Sequence, residues 1–185
     1  MAVHVALLRG VNVGGHNKVP MADLRAALLA DGFGNPRTYI QSGNIVLESD
    51  DDADRVVARV EALIGERFGL AVPTIVVSAS ALADVVARNP YPAEADHRRL
   101  HAVFLREEPD EAERARVRGL VDASAAKGSP DAATFVGSTL YLHTPDGLGT
   151  SDLAKALTTK RRSGVGAGTA RNWATVTTLL AMCSA

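Results

Sequence analysis

One cysteine, Cys183, stands in a chain of 185 residues. That excludes an internal disulfide and a thiolate metal cluster, and it suits a reducing compartment. Aromatic residues number eight, too few for a surface that reads single-stranded nucleic acid by stacking bases. No apolar run approaches membrane-spanning length, and Met1-Ala2-Val3-His4 enters an apolar stretch without the basic flank or cleavage site of a leader. A soluble, cytoplasmic protein with no membrane partner is expected. Neither charge sign dominates, since 20 Lys+Arg face 21 Asp+Glu. Only four of the cations are lysine, an Arg-for-Lys bias of the whole Ala-rich composition, so arginine counts carry little information. Low-complexity and coiled-coil tracts are missing too. What remains is 46% hydrophobic residues with mean hydropathy +0.04, enough to bury a core in one domain or two small ones.

The balanced charge is unevenly placed. Residues 1–47 carry a net charge of plus two and residues 151–185 plus four, which leaves minus seven for the middle. Two basic ends around an acidic centre suit an anion site built from both ends, or complementary surfaces of a domain pair.

Val3 to Leu8 is an apolar run of strand length, followed by the Gly/Asn-rich stretch Arg9 to Lys18. A helix follows, with Pro20 in its first turn, Leu24, Ala27 and Leu28 as its stripe and Gly32 at its end. Arg37–Gln41 and Asn44–Leu47 read as strands joined by Ser42-Gly43, a hairpin signal. Acidic Asp50 to Asp54 starts a helix reaching about Phe68, with Val56, Val60, Leu63 and Ile64 as its stripe. Val72 to Val77 is a strand, and Ser80 caps a short helix ending near Arg88.

Asn89-Pro90-Tyr91-Pro92-Ala93 reads as a linker, because its prolines stop helix continuation. Beyond it the opening pattern returns. His101-Ala102-Val103-Phe104-Leu105-Arg106 matches His4-Val5-Ala6-Leu7-Leu8-Arg9, and Phe135-Val136-Gly137-Ser138 matches Tyr39-Ile40-Gln41-Ser42. Pro109-Asp110 with Glu113 opens a helix in capping-box style, Leu140 to His143 is a returning strand, and a helix follows from Ser151 or Asp152 to about Lys160. The expected class is α+β, with two ferredoxin-like sandwich halves over residues 1–89 and 97–185. The first is βαββαβ. The second is expected as a βαββα variant, in which Gly164 to Gly168 forms a flexible link and Thr169 to about Met182 a terminal helix.

Topology turns this pattern into a functional expectation. In ferredoxin-like order the first two strands run parallel, so the end of the first strand meets the hairpin after the second. Arg9 to Lys18 should therefore face Gln41-Ser42-Gly43-Asn44. The matching edge of the second half carries Glu107-Glu108-Pro109 and Gly137-Ser138-Thr139, acidic and without asparagine.

Gly14-Gly15 permits positive φ, so backbone N–H groups could form an anion nest beside Lys18 at the next helix start. The loop is neither a Walker A motif nor a dinucleotide fingerprint. The competing reading is a turn that needs glycine for shape, with Asn12 and Asn17 capping local backbone. Gln41 to Asn44 has a similar steric alternative, and Ser42 lacks a nucleophile elbow. At the chain's far end, Thr169 reads as an N-cap, with Trp173, Val176, Leu180 and Cys183 on one helical face. Arg171 would then oppose the macrodipole of a first helical turn unless an anion compensates, as would Lys18. By contrast, Lys160-Arg161-Arg162 sits favourably at a helix end. His97 and His101 are four apart but flanked by Pro92 and a strand start, so no metal pair is read there. His16 is the edge's only group titrating near neutrality, and it is the candidate acid or base.

Leu8-Arg9-Gly10-Val11-Asn12-Val13-Gly14-Gly15, Asn17-Lys18-Val19-Pro20-Met21, Tyr39-Ile40-Gln41-Ser42-Gly43-Asn44 and Thr169-Ala170-Arg171-Asn172-Trp173-Ala174-Thr175 closely resemble the signatures of the bacterial domain-of-unknown-function family numbered 1697. The resemblance spans essentially the whole chain. It implies an α+β protein with ferredoxin-like halves, and it carries no reaction or cofactor.

The functional expectation is a module that binds a phosphorylated small molecule or a nucleic-acid backbone. Its set is Arg9, Asn12, Gly14, Gly15, Asn17, Lys18, Gln41, Ser42, Gly43, Asn44, Thr169, Arg171 and Asn172. The alternatives are an enzyme on a small phosphorylated substrate using His16, and a structural or protein-interaction domain.

Overall fold

The computed structural model describes residues 1–159 and 164–184. The chain forms two compact units, Met1–Asp84 with Thr178–Ala185, and Val85–Thr177.

In the first unit, the apolar run forms β1 (Ala2–Leu8), and helix α1 (Met21–Ala30) follows the glycine-rich loop. The hairpin strands are β2 (Gly34–Tyr39) and β3 (Asn44–Ser49), succeeded by helix α2 (Ala53–Phe68), strand β4 (Thr74–Ser78) and the start of helix α3 (Ala79–Ala87). The strand order is β2-β3-β1-β4, with every neighbouring pair antiparallel, so β1 and β2 run parallel as ferredoxin-like order requires. Alternation along β1 and β3 sends Ala6, Leu8, Ile45 and Leu47 to one face. There they pack with Leu24 and Leu28 of α1 and with Val56, Val60 and Ile64 of α2.

Local chemistry sets the helix starts. Asp52 accepts the Arg55 N–H at 2.9 Å and caps α2, whose C-cap is Gly69 at φ +67°. The start of α3 corrects the sequence reading, because Ser78 rather than Ser80 accepts the Ala81 N–H, at 3.1 Å. Arg59 on α2 reaches Asp51 at 2.6 Å and Asp31 at 2.8 Å while stacking on Phe33 with its guanidinium carbon 4.0 Å from the ring centre. Its hydrogen bond holds the Asp51 carboxyl below the ordinary range.

The second unit repeats the plan. It contains β5 (Leu100–Phe104), α4 (Glu111–Ala125), β6 (Ala132–Val136), β7 (Thr139–His143), α5 (Asp152–Thr158) and β8 (Thr169–Asn172), and α6 (Trp173–Cys183) begins here. Its order is β6-β7-β5-β8, again antiparallel throughout. Val103, Leu140 and Leu142 meet Val117, Leu153 and Leu157 in its core. Asp110 caps α4 by accepting the Glu113 N–H at 2.8 Å, and Ser151 caps α5 by accepting the Ala154 N–H at 2.8 Å.

The α+β class with two sandwich halves therefore holds, with one correction in the second. The missing last strand is present, since Thr169–Asn172 is β8 and pairs with β5 in the register Phe104↔Thr169 to His101↔Asn172. The terminal helix starts four residues later than Thr169. Its cap is Asn172, whose side-chain oxygen accepts the Thr175 N–H at 2.8 Å. Nor is the glycine stretch a loose link, because Gly164–Ala167 is a 3-10 turn. Buried Val165 in that turn donates its N–H to Glu113 Oε1 at 2.9 Å. A Cβ at Gly168 would come within 2.7 Å of the Phe104 carbonyl, so close backbone approach explains that glycine. Lys160-Arg161-Arg162 and Ser163 lie outside the described residues.

Candidate functional site

Parallel β1 and β2 bring the Arg9–Lys18 loop against the Ile40–Gly43 turn, as the topology predicts. The Leu8 N–H donates to the Gly43 carbonyl at 2.8 Å. Asn12 then ties loop to turn. Its amide donates to the Val19 carbonyl at 3.0 Å and to the Gln41 carbonyl at 2.8 Å, while its side-chain oxygen accepts the Val19 N–H at 2.9 Å. Asn17 donates to the Gly10 carbonyl at 3.0 Å. Both asparagines therefore satisfy the protein's own backbone, which is the capping role weighed for them. Val11 and Val19, both buried, anchor the loop in the core.

Five loop residues have positive φ, namely Gly10, Asn12, Gly14, Gly15 and Asn17. Gly14 at +57° and Gly15 at +80° match the two central positions of a type I′ turn, and Val13 pairs with His16 across them. The glycines thus close a miniature hairpin that projects from the sheet edge. Val13, Gly14, Gly15, His16, Asn17 and Lys18 are all exposed on this finger. Neither the Lys18 ammonium nor the His16 ring has a hydrogen bond or ion pair among the described residues. Helix α1 begins just beyond Lys18 with Pro20 at its N-cap position, and no side chain caps it. Its first N–H groups accordingly lack the usual protein acceptor.

On the facing turn, Gly43 is needed twice over. It sits at φ +77°, and a Cβ there would come within 2.6 Å of Leu8 and Val11. Asn44 is fully buried and donates to the Tyr39 carbonyl at 3.1 Å and to Ser42 Oγ at 2.9 Å. Gln41 and Ser42 are exposed. Ile40 gave no sequence signal beyond its β propensity. Yet it adopts φ +47°, in the left-handed region that a β-branched side chain disfavours, and is 52% exposed. Val13, 64% exposed, is the finger's own apolar tip.

The remaining candidates lie in the second unit. Thr169, Arg171 and Asn172 belong to β8, so Arg171 does not sit in a helical first turn and opposes no macrodipole. It is 7% exposed, and Nη1 donates to Thr169 Oγ1 at 2.7 Å and to the Ala170 carbonyl at 2.9 Å. Burial pushes its guanidinium down to about 10. Asn172 is occupied as the α6 cap. His97 lies in an exposed turn while His101 is buried in β5. A pair the sequence reading missed is Glu94 with His143, 2.8 Å apart, with Tyr91 stacked on the imidazole at 5.1 Å. The His143 hydrogen bond lowers the Glu94 carboxyl, and the pair fastens the segment after the linker to β7.

Among the described residues, no helix is long and apolar enough to cross a membrane. The model of the family described as "Protein of unknown function (DUF1697)" matches residues 1–141. No curated protein matches the chain. Among solved structures, the conserved bacterial protein SP0830 from Streptococcus pneumoniae superposes with a TM-score of 0.73 over 98% of this chain and 98% of its own. At 21% identity, that likeness concerns the fold.

Proposed function

Since the chain belongs to the DUF1697 family, whose description assigns no activity, we propose its function from geometry: a binding module whose finger and facing turn take a phosphate-bearing ligand. The observation that carries this reading is Lys18. It is an exposed cation without a partner among the described residues, on a loop locked by Asn12, immediately before a helix start that no side chain caps. A phosphate here would meet an ammonium and free backbone N–H groups together. Gln41 and Ser42 add side-chain donors from the facing turn, and Arg9 borders the same edge. Asn12, Asn17, Asn44 and Gly43 shape the edge rather than touch the ligand. Thr169, Arg171 and Asn172 are left out of the binding set, because they are engaged within the second unit.

A thermal-shift series tests this, using pyrophosphate, nucleotides and a short oligonucleotide at two salt concentrations. Binding raises the melting temperature in a dose-dependent way, and Lys18→Ala removes most of the rise. A polymeric ligand adds a steep salt dependence, while a small phosphate compound does not. No shift with any member of the series overturns the proposal. One observation favours a second reading, a protein-interaction edge: Val13 and Ile40 expose apolar side chains on the finger and the facing turn. Its mark is a silent phosphate series together with partner binding that Val13→Asp abolishes.

A further inference from the structure

The second unit holds a cavity of about 230 Å³ between its sheet and α5. Helix length explains it. Helix α5 has seven residues where α2 of the first unit has sixteen, so α5 contributes about 10 Å of helix beside α4 where α2 contributes about 24 Å beside α1. The stretch of sheet at this cavity includes His101, the single polar side chain in β5. His101 stands opposite Leu142 in the ladder and shares its face with Val103 of the core. Leu148 before α5, Ala170 on β8, and Lys155 and Thr158 on α5 complete the wall.

His101 is 8% exposed, and its Nδ1 is buried with no hydrogen-bond partner. Burial lowers its pKa, so the ring is neutral at pH 7 and offers one donor and one acceptor. A buried polar atom lacking a partner is uncommon in folded proteins. Nδ1 is closed off from the cavity as from solvent, so Nε2 is the ring nitrogen that a ligand in this mainly apolar space can reach. Lys155 supplies the charge. Its side chain is 62% exposed, and its bond to Asp152 at 3.2 Å joins two exposed side chains. Such a pair contributes little and is readily exchanged for another anion.

We propose that this cavity binds a compact one-ring carboxylic acid that carries a second polar group. The apolar body lies against Leu142, Leu148 and Ala170, the carboxylate meets Lys155, and the second polar group reaches the His101 imidazole. Size sets the limit. The volume falls below the roughly 300 Å³ at which drug-sized ligands begin to fit, and above the about 150 Å³ that admits a bare benzene ring.

The test is an NMR titration of the full chain at pH 7.5 with 4-hydroxybenzoate, reading the His101 imidazole and the Leu142 and Leu148 methyl signals, with phenol as the uncharged arm. The expected result is a saturable shift of all three groups. Lys155→Ala weakens 4-hydroxybenzoate about fivefold and leaves phenol unchanged. Ala170→Leu and Leu148→Trp narrow the space from opposite walls and abolish the shifts at an unaltered fold, judged from the melting temperature. No saturable shift at millimolar 4-hydroxybenzoate overturns the proposal, as do shifts that persist in both narrowed variants. Equal weakening of acid and phenol by Lys155→Ala overturns the carboxylate assignment. None of these readings involves Lys18 or the first unit's edge.

Discussion

The two units share a sheet order down to individual bonds and differ almost wholly in what connects the strands. The Leu8 N–H donates to the Gly43 carbonyl at 2.8 Å, and 97 residues on the Leu105 N–H donates to the Ser138 carbonyl at 3.0 Å. His4 and His101 occupy matching strand positions, both buried with ring nitrogens lacking partners. Between the first strand and its helix, however, the first unit has twelve residues and the second has six, acidic where the first is basic. The first unit thus elaborates a loop at one sheet edge. The second shortens a helix and leaves a cavity. A repeated sheet supplies rigidity, and each copy's connections are free to take on separate chemistry.

The largest effect should come from the turn that differs most. Gly43→Ala forces a side chain into positive φ against Leu8 and Val11, and should cost about 2–4 kcal/mol in urea unfolding. Ser138→Ala at the matching place should stay within about 0.5 kcal/mol. Equal costs would break the comparison. Asn12→Ala comes next. It strands the N–H of Val19, a residue with 0% exposure, and should lose about 1–3 kcal/mol, with faster amide exchange at Val19. A third test separates the histidines. His101→Phe removes a buried polar atom without a partner and should gain about 1 kcal/mol at pH 7.5. Because burial depresses the folded-state pKa of His101, the unfolded chain binds the proton first as pH falls below about 6.5. Stability should therefore decline toward pH 5 in the native chain and decline less in His101→Phe, as urea midpoints at the two pH values would show. The smallest stability change belongs to Lys18→Ala, within about 0.5 kcal/mol, since that ammonium is solvated. Its readout is the lost response to phosphate compounds.

Much of this was legible in the sequence because it is local. The stripes on α2, the Asp110 cap and the placement of the glycine loop beside the hairpin all follow from periodicity, capping chemistry and strand order. Where the sequence reading erred, a distant partner decided. Thr169 and Asn172 are both good helix caps, and only pairing with β5 makes Thr169–Asn172 a strand and leaves Asn172 to cap. Glycines at 164–168 suggest looseness until Phe104 and Glu113 are seen against them. At the site, backbone capping by Asn12 and Asn17 was one of the two readings the loop allowed, but the reach of Asn12 to the Gln41 carbonyl, twenty-nine residues away, was not legible. The cavity had one faint trace, a histidine in an otherwise apolar strand.

Asn12 has a further consequence. By fixing both bases of the finger to the framework, it uncouples the identity of Val13 to His16 from the integrity of the sheet. Those four positions are expected to accept other short turn sequences that tolerate positive φ at positions 14 and 15, with the platform beneath them intact, and the melting temperatures of such exchanges would check it.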